Sequence, residues 1–300
     1  MNHYQHQTFQ FDKSLSQQQL NFFRKHGFIH FKNFIAGETV KKFIKEIEAV
    51  QAQHFRNNTK IVNGIPLKYG KDINGSDIIQ RFAFTSQYSE CLSRFLKDER
   101  FDELLKLLAP FDGRVGENEK DGLVVNHYIN TTESSFNKMG WHTDSPRDLF
   151  LGSKILPMLN VGLHLDDCPF ENGGLRVLPG THTQNFFNLL FRKKYFIDNN
   201  SDKQEVGFDI EAGDLTIHDG RLWHRVQQSP HTGEKSRRRV MYIPIITGAY
   251  KPKHANSSTP FYHKLAQIKL NPLKSKLVRL TFGNKKETLV EPPDGFILKY

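Results

Sequence analysis

Cysteine is nearly absent from this chain. Only Cys91 and Cys168 occur in 300 residues, far apart and without metal-ligand spacing. That excludes a disulfide scaffold and a thiolate zinc site. Long apolar runs are also missing, so no membrane span is expected. The opening MNHYQHQTFQFDK has no basic stretch leading into an apolar one, so no secretory signal is expected and a cytoplasmic setting is the default. No internal repeat points to a solenoid. The formal net charge of +10 favours anionic partners. Nothing resembles a zinc finger, basic zipper or RNA-recognition signature, so no nucleic-acid partner is expected.

What is abundant is phenylalanine, with 25 Phe beside 9 Tyr. Such content fills a core and lines small-molecule pockets. The length suits one large domain, expected over residues 1–300. Residues 1–110 read as mostly helical support. Ser16 and Gln19 form a capping box, Leu20, Phe22 and Phe23 follow, and Gly27 closes the helix. Phe28 to Phe31 reads as a short strand. Residues 37–55 and 87–109 carry apolar residues at helical spacing. Residues 1–13 read as a loose arm and 56–80 as loop. After Pro110 the pattern changes to short apolar segments at 122–129, 155–165, 175–178, 214–218 and 240–246, divided by Gly and Pro turns. This argues for a sandwich or barrel core over 111–250. Residues 183–206 interrupt it as a lid or an outer insertion. Residues 251–300 form a basic C-terminal extension with one helical stretch at 262–270.

The chemistry lies in the core segment. His142-Thr143-Asp144 places an imidazole and a carboxylate on one face of a strand. Two histidines and one carboxylate with open positions form the facial triad of non-haem Fe(II) oxygenases. A second pair, His164-Leu165-Asp166, lies inside an apolar run and reads as strand and turn residues. For the distal histidine, His224 competes with His218, His182, His231 and His127. The run Arg237-Arg238-Arg239 follows, and an arginine there suits a dicarboxylate co-substrate. Asn126, Tyr128 and Thr143 lie on or beside the strands of this region and are candidate co-substrate contacts. Arg176 and Arg221 could meet a substrate carboxylate or pair on the surface.

Several of these residues carry a resemblance. Phe23-Arg24-Lys25-His26-Gly27-Phe28, Trp141-His142-x-Asp144, the run from Asn172-Gly173-Gly174 to Pro179-Gly180-Thr181-His182, Gly213-Asp214, His224 and a late arginine stand in one order. Over about residues 15–244 this resembles the phytanoyl-CoA dioxygenase family. The resemblance implies a mainly β core, a double-stranded β-helix (a cupin-like jelly roll) with flanking N-terminal α-helices. It implies Fe(II), 2-oxoglutarate and O₂. It makes His142, Asp144 and His224 the metal ligands and Arg238 the co-substrate arginine, with Arg239 and Arg237 as fallbacks. Gln227-Gln228-Ser229-Pro230 departs from the family pattern and loosens that arginine's register. Because Asp144 is a carboxylate, the resemblance implies hydroxylation of an aliphatic C–H of a small molecule, an anionic one among the options, with release of succinate and CO₂. The alternatives are a hydroxylase or demethylase of a macromolecule, a non-catalytic ligand-binding barrel, and a zinc hydrolase, which lacks a general-base Glu beside a ligand.

Overall fold

A computed structural model describes residues 6–134, 136–145 and 155–260. The N-terminal part contains β1 (Thr8–Gln10), α1 (Gln17–His26), β2 (Phe28–Lys32) and α2 (Gly37–Arg56). Then come β3 (Ile61–Val62), β4 (Ile65–Pro66), β5 (Lys68–Lys71), β6 (Asp77–Phe82), α3 (Glu90–Phe95) and α4 (Arg100–Leu105). The remainder is β7 (Gly113–Val115), β8 (Val124–Tyr128), β9 (Met139–His142), β10 (Met158–His164), β11 (Gly174–Val177), α5 (Phe186–Phe191), β12 (Leu215–Asp219), β13 (His224–Gln227) and β14 (Arg238–Thr247).

Two sheets make the core. The larger has the order β1-β2-β12-β10-β14-β8-β6-β5, with β7 also on β14; the smaller has the order β11-β13-β9. Apart from the parallel β1–β2 pair, the neighbours are antiparallel. This is the jelly-roll arrangement expected from the sequence, with both sheets left open.

The pleat decides what each face does, because successive side chains point to opposite sides. On one face of the large sheet, Leu159, Val161, Leu163, Leu215, Ile217, Met241, Ile243 and Ile245 join Val40, Phe43, Ile47 and Val50 of α2 in the main apolar core. Each fully buried aliphatic or aromatic side chain contributes roughly 1.5–3 kcal/mol. The alternate residues His164, Thr216, His218, Asn126, Tyr128 and Arg238 are also buried, with Asn160 half-buried among them, on the face turned away from the helices. A row of polar side chains inside a protein is the mark of a site rather than of a core.

The helix signals hold. Ser16 and Gln19 form the reciprocal capping box, and Gly27 closes α1 at φ 70. Gly27 must be glycine for a second reason: a Cβ there would collide with the His182 ring. Three expectations need correction. Residues 6–13 are not a loose arm, since β1 pairs with β2 and Phe9 is buried. The stretch 56–80 carries four short strands, and β5 and β6 extend the large sheet. The helical stretch 87–109 breaks into α3 and α4, with Asp98 between them binding Arg100. The expected helix at 262–270 lies outside the described residues.

Candidate metal centre and active site

The centre is assembled from both sheets. His142 ends β9, His224 begins β13, and the two are direct cross-strand partners. Their rings therefore leave the small sheet on the same side, with centroids 4.1 Å apart. Asp144 lies two residues past the end of β9. Its N–H and that of Ser145 both donate to the Gly220 carbonyl, at 2.8 and 2.9 Å. This pins the β9 exit to the β12–β13 turn and swings the carboxylate under the two rings. His142 Nε2 lies 4.0 Å from Asp144 Oδ1, and His224 Nε2 lies 3.8 Å from Oδ2. The three candidate ligand atoms lie within 4.8 Å of one another.

The residues fit a divalent metal. His142 Nδ1 is 2.8 Å from the Gly140 carbonyl and His224 Nδ1 is 3.0 Å from the Leu222 carbonyl. A carbonyl only accepts, so each Nδ1 carries the proton and each Nε2 turns its lone pair inward. Burial, and then His142 and His218, hold the His224 pKa well below its ordinary value, so the ring is neutral. Burial would raise the Asp144 pKa, but the imidazoles of His224, His218 and His142 outweigh it and keep the carboxyl ionised. Metal ligands must be deprotonated in this way. Two residues outside the triad hold the carboxylate: Asn160 Nδ2 at 3.0 Å and His218 Nε2 at 3.3 Å, both on Oδ2.

Beside the triad lies a cavity of about 170 Å³ whose lining includes Asn126, Tyr128, Asn160, Phe196 and Tyr242. Asn126 Nδ2 donates to the Tyr128 hydroxyl at 3.1 Å, while Asn126 Oδ1 is buried without a partner. Thr143 lines the same cavity, but its hydroxyl is 2.6 Å from Tyr195 Oη. Tyr195 gives its one proton to the Leu189 carbonyl at 2.7 Å, so Thr143 is the donor. Thr143 thus ties the site to the segment above it.

That segment covers the centre. Phe196 stacks on His142 with centroids 4.8 Å apart and an interplanar angle of 26°. Its N–H bonds the Trp141 carbonyl at 2.8 Å, and the Trp141 N–H bonds the Asp198 carbonyl at 2.9 Å. Trp141 and Trp223 donate their indole N–H groups to the carbonyls of Asn200 and Asn188. Gly140 permits this approach, because a Cβ there would meet the Phe196 carbonyl oxygen at 2.6 Å. Phe196 itself adopts φ 60, a conformation non-glycine residues avoid.

The three consecutive arginines divide by partner. Arg237 binds Asp72 and Glu234, and also His127. Arg239 binds Asp166 through two hydrogen bonds. Arg238 is buried and donates to the carbonyls of Gln227 and Asn137, at 2.9 and 3.3 Å; its Nε has no partner among the described residues. It sits over the Tyr128 ring at 5.5 Å and borders a small cavity that shares Tyr128, Val226 and Tyr242 with the first.

The other sequence candidates lie elsewhere. His164 bonds Thr216 Oγ1, and Asp166 holds Arg239. His182 is 3.1 Å from the Arg24 carbonyl, and His231 is exposed. Arg176 is buried and donates to the carbonyls of Gly173, Leu175 and Phe170; Arg221 pairs with Asp219. Sequence reasoning missed Asn160, placed Phe196 in the candidate lid without its contact to His142, and treated His218 only as a rival of His224. The amide of Asn160 in an otherwise apolar strand was the available signal.

The phytanoyl-CoA dioxygenase (PhyH) family model matches residues 23–239, and the chain belongs to that family. Among solved structures, the chain is similar to the non-heme alpha ketoglutarate dependent epimerase SnoN from nogalamycin biosynthesis. Identity is 17%, over 82% of this chain and 92% of that one, with a TM-score of 0.57. The carbocyclase SnoK from the same biosynthesis gives 16%, 80%, 87% and 0.56. HygX from Streptomyces hygroscopicus, solved with nickel and 2-oxoglutarate bound, gives 16%, 80%, 89% and 0.56. Comparison with curated proteins by sequence gives no match.

Proposed function

We propose that this protein is an Fe(II)- and 2-oxoglutarate-dependent dioxygenase that hydroxylates an aliphatic C–H of a small molecule. The observation that carries this is the convergence of His142, Asp144 and His224 on one cavity, with both imidazole Nδ1 atoms on backbone carbonyls so that each Nε2 is the ring nitrogen turned to the metal position. When bound, iron with 2-oxoglutarate supplies O₂ activation, with succinate and CO₂ as co-products and one oxygen atom going to the substrate.

Each residue has a part. His142, Asp144 and His224 hold the ion by one face. Asn160 and His218 fix which Asp144 oxygen faces it. Arg238 offers the co-substrate's remote carboxylate a buried cation that no carboxylate of the described residues neutralises. Asn126 and Tyr128 present an amide oxygen and a phenol to the same ligand. The segment carrying Tyr195 and Phe196 excludes water and bulky partners, which favours a small substrate over a macromolecule. Among the described residues the cavity lining includes no glutamate to serve a zinc hydrolase as base. HygX has been solved with 2-oxoglutarate and with iron.

The test is anaerobic titration with Fe(II) and then 2-oxoglutarate, watching for a visible charge-transfer band. A band that vanishes in His142→Ala and needs far more 2-oxoglutarate in Arg238→Ala supports the proposal. No band in the unaltered protein sinks it.

A further inference from the structure

We propose that the cavity takes a substrate bearing an anionic group, a carboxylate or a phosphate, and that Arg81 binds this group with Lys68 and Lys120. The inference rests on the proposed oxygenase function, since the subsite would fix a C–H bond of the substrate relative to the metal ligands.

The strands β5 and β6 and the turn before β8 bring Lys68, Arg81 and Lys120 to the wall of the cavity that holds the triad, with Asp121 beside them. Lys68 stands opposite Arg81, and Arg81 opposite Asn126, so the three side chains share the inner face of the large sheet. Asp121 Oδ2 holds Arg81 Nη2 at 2.5 Å. Among the described residues, the other arm, Nη1, is buried and has no partner, and neither has Asn126 Oδ1 across the strand pair. A guanidinium gripped on one side and bare on the other is a donor with a fixed direction. A buried donor without a partner costs free energy until a ligand meets it. With two lysines on the same wall, an anion is the ligand that satisfies it best.

This is a different point from the one assigned to the co-substrate. Arg238 stands opposite Tyr128, whereas Arg81 stands opposite Asn126, which in turn faces Val240. The two guanidiniums are two strands apart and at different levels of the same face. Two separated cations suit two anions, the co-substrate at Arg238 and the substrate at Arg81.

The experiment is calorimetric titration of the full chain with octanoate, octyl phosphate and octanamide. It is run anaerobically with Fe(II) and 2-oxoglutarate loaded, and again with neither. One of the two anions is expected to bind at least tenfold more tightly than the amide, and which one identifies the head group. Arg81→Gln should erase that preference, and Arg81→Lys should keep part of it. The double variant Arg81→Gln/Asp121→Asn removes both charges of the buried pair and should lose the preference equally. The proposal is overturned if the amide binds as well as the anions, or if the preference survives these variants. It is also overturned if Arg81→Gln weakens 2-oxoglutarate as much as Arg238→Ala does. An intact Fe(II)/2-oxoglutarate band without anion preference sinks this inference alone. Anion preference without a band sinks the oxygenase proposal alone.

Discussion

His218 Nε2 lies 3.3 Å from Asp144 Oδ2, so the large sheet reaches through to steady a carboxylate that the small sheet carries. In the proposed site the two histidines separated by the Asp219–Trp223 turn therefore divide the work: His224 would bind the metal and His218 steadies the Asp144 carboxylate. His218→Ala is expected to weaken Fe(II) binding by about 10–100-fold without abolishing it. Asp144→Ala should abolish it. Equilibrium dialysis with Fe(II) distinguishes the two, and equal losses would mean that His218 is itself a ligand.

Arg238 and Arg239 should respond oppositely to removal of their charge. Arg239→Met leaves Asp166 without its cation and should destabilise the fold by about 2 kcal/mol. Arg238→Met removes a buried cation that pairs with no carboxylate among the described residues, so it should leave the unliganded protein as stable or more so. The same variant should raise the Kd for 2-oxoglutarate by about 10–100-fold, the worth of a charge-assisted contact. Urea denaturation and ligand titration on both variants settle the matter; a large stability loss in Arg238→Met would mark it as structural.

The covering segment makes a kinetic prediction. Phe196→Ala removes the ring stacked on His142 and part of the roof. Fe(II) affinity should change by less than about threefold, because no ligand is lost, and succinate formed without substrate oxidation should rise as water enters. Limited proteolysis should cut residues 186–200 more slowly once 2-oxoglutarate is bound. Cleavage at an unchanged rate would argue that the segment is fixed regardless of ligand.

Two buried histidines set an acid limit on stability. Burial, then Arg237 and Arg239, lower the His127 pKa to about 4; burial, then His30, lowers that of His164 to about 3. Both folded values lie below the unfolded value of about 6.5. As pH falls through 6.5 the unfolded chain binds protons that the native chain refuses, so stability drops toward pH 4. Each ring should cost about 2 kcal/mol at pH 5 relative to pH 7.5. Urea midpoints across that range test this. His127→Gln should flatten the slope, and an unchanged slope would mean that His127 titrates normally in the fold.

Local patterns were the legible part of this chain. The α1 caps, the five core segments and His142-x-Asp144 each depend on neighbours a few residues apart, so spacing alone exposes them. Strands β5 and β6 were not legible, because their stability comes from pairing with each other and with β8 rather than from their own apolar alternation. The register of Arg238 was open for a similar reason. Three identical residues in a row are separated only by what surrounds them, and Asp72, Glu234 and Asp166 lie far away in sequence. Arg81 carried no local signal at all.

The direct pairing of His142 with His224 has a consequence for assembly. Slippage of β9 against β13 by a single residue would turn one imidazole to the opposite side of the small sheet. Such a chain could not grip the ion, so it would fold into an inert molecule instead of one that releases oxidant without control. Under the proposed function, the pairing register would be a safety interlock that arms the chemistry only in correctly built copies.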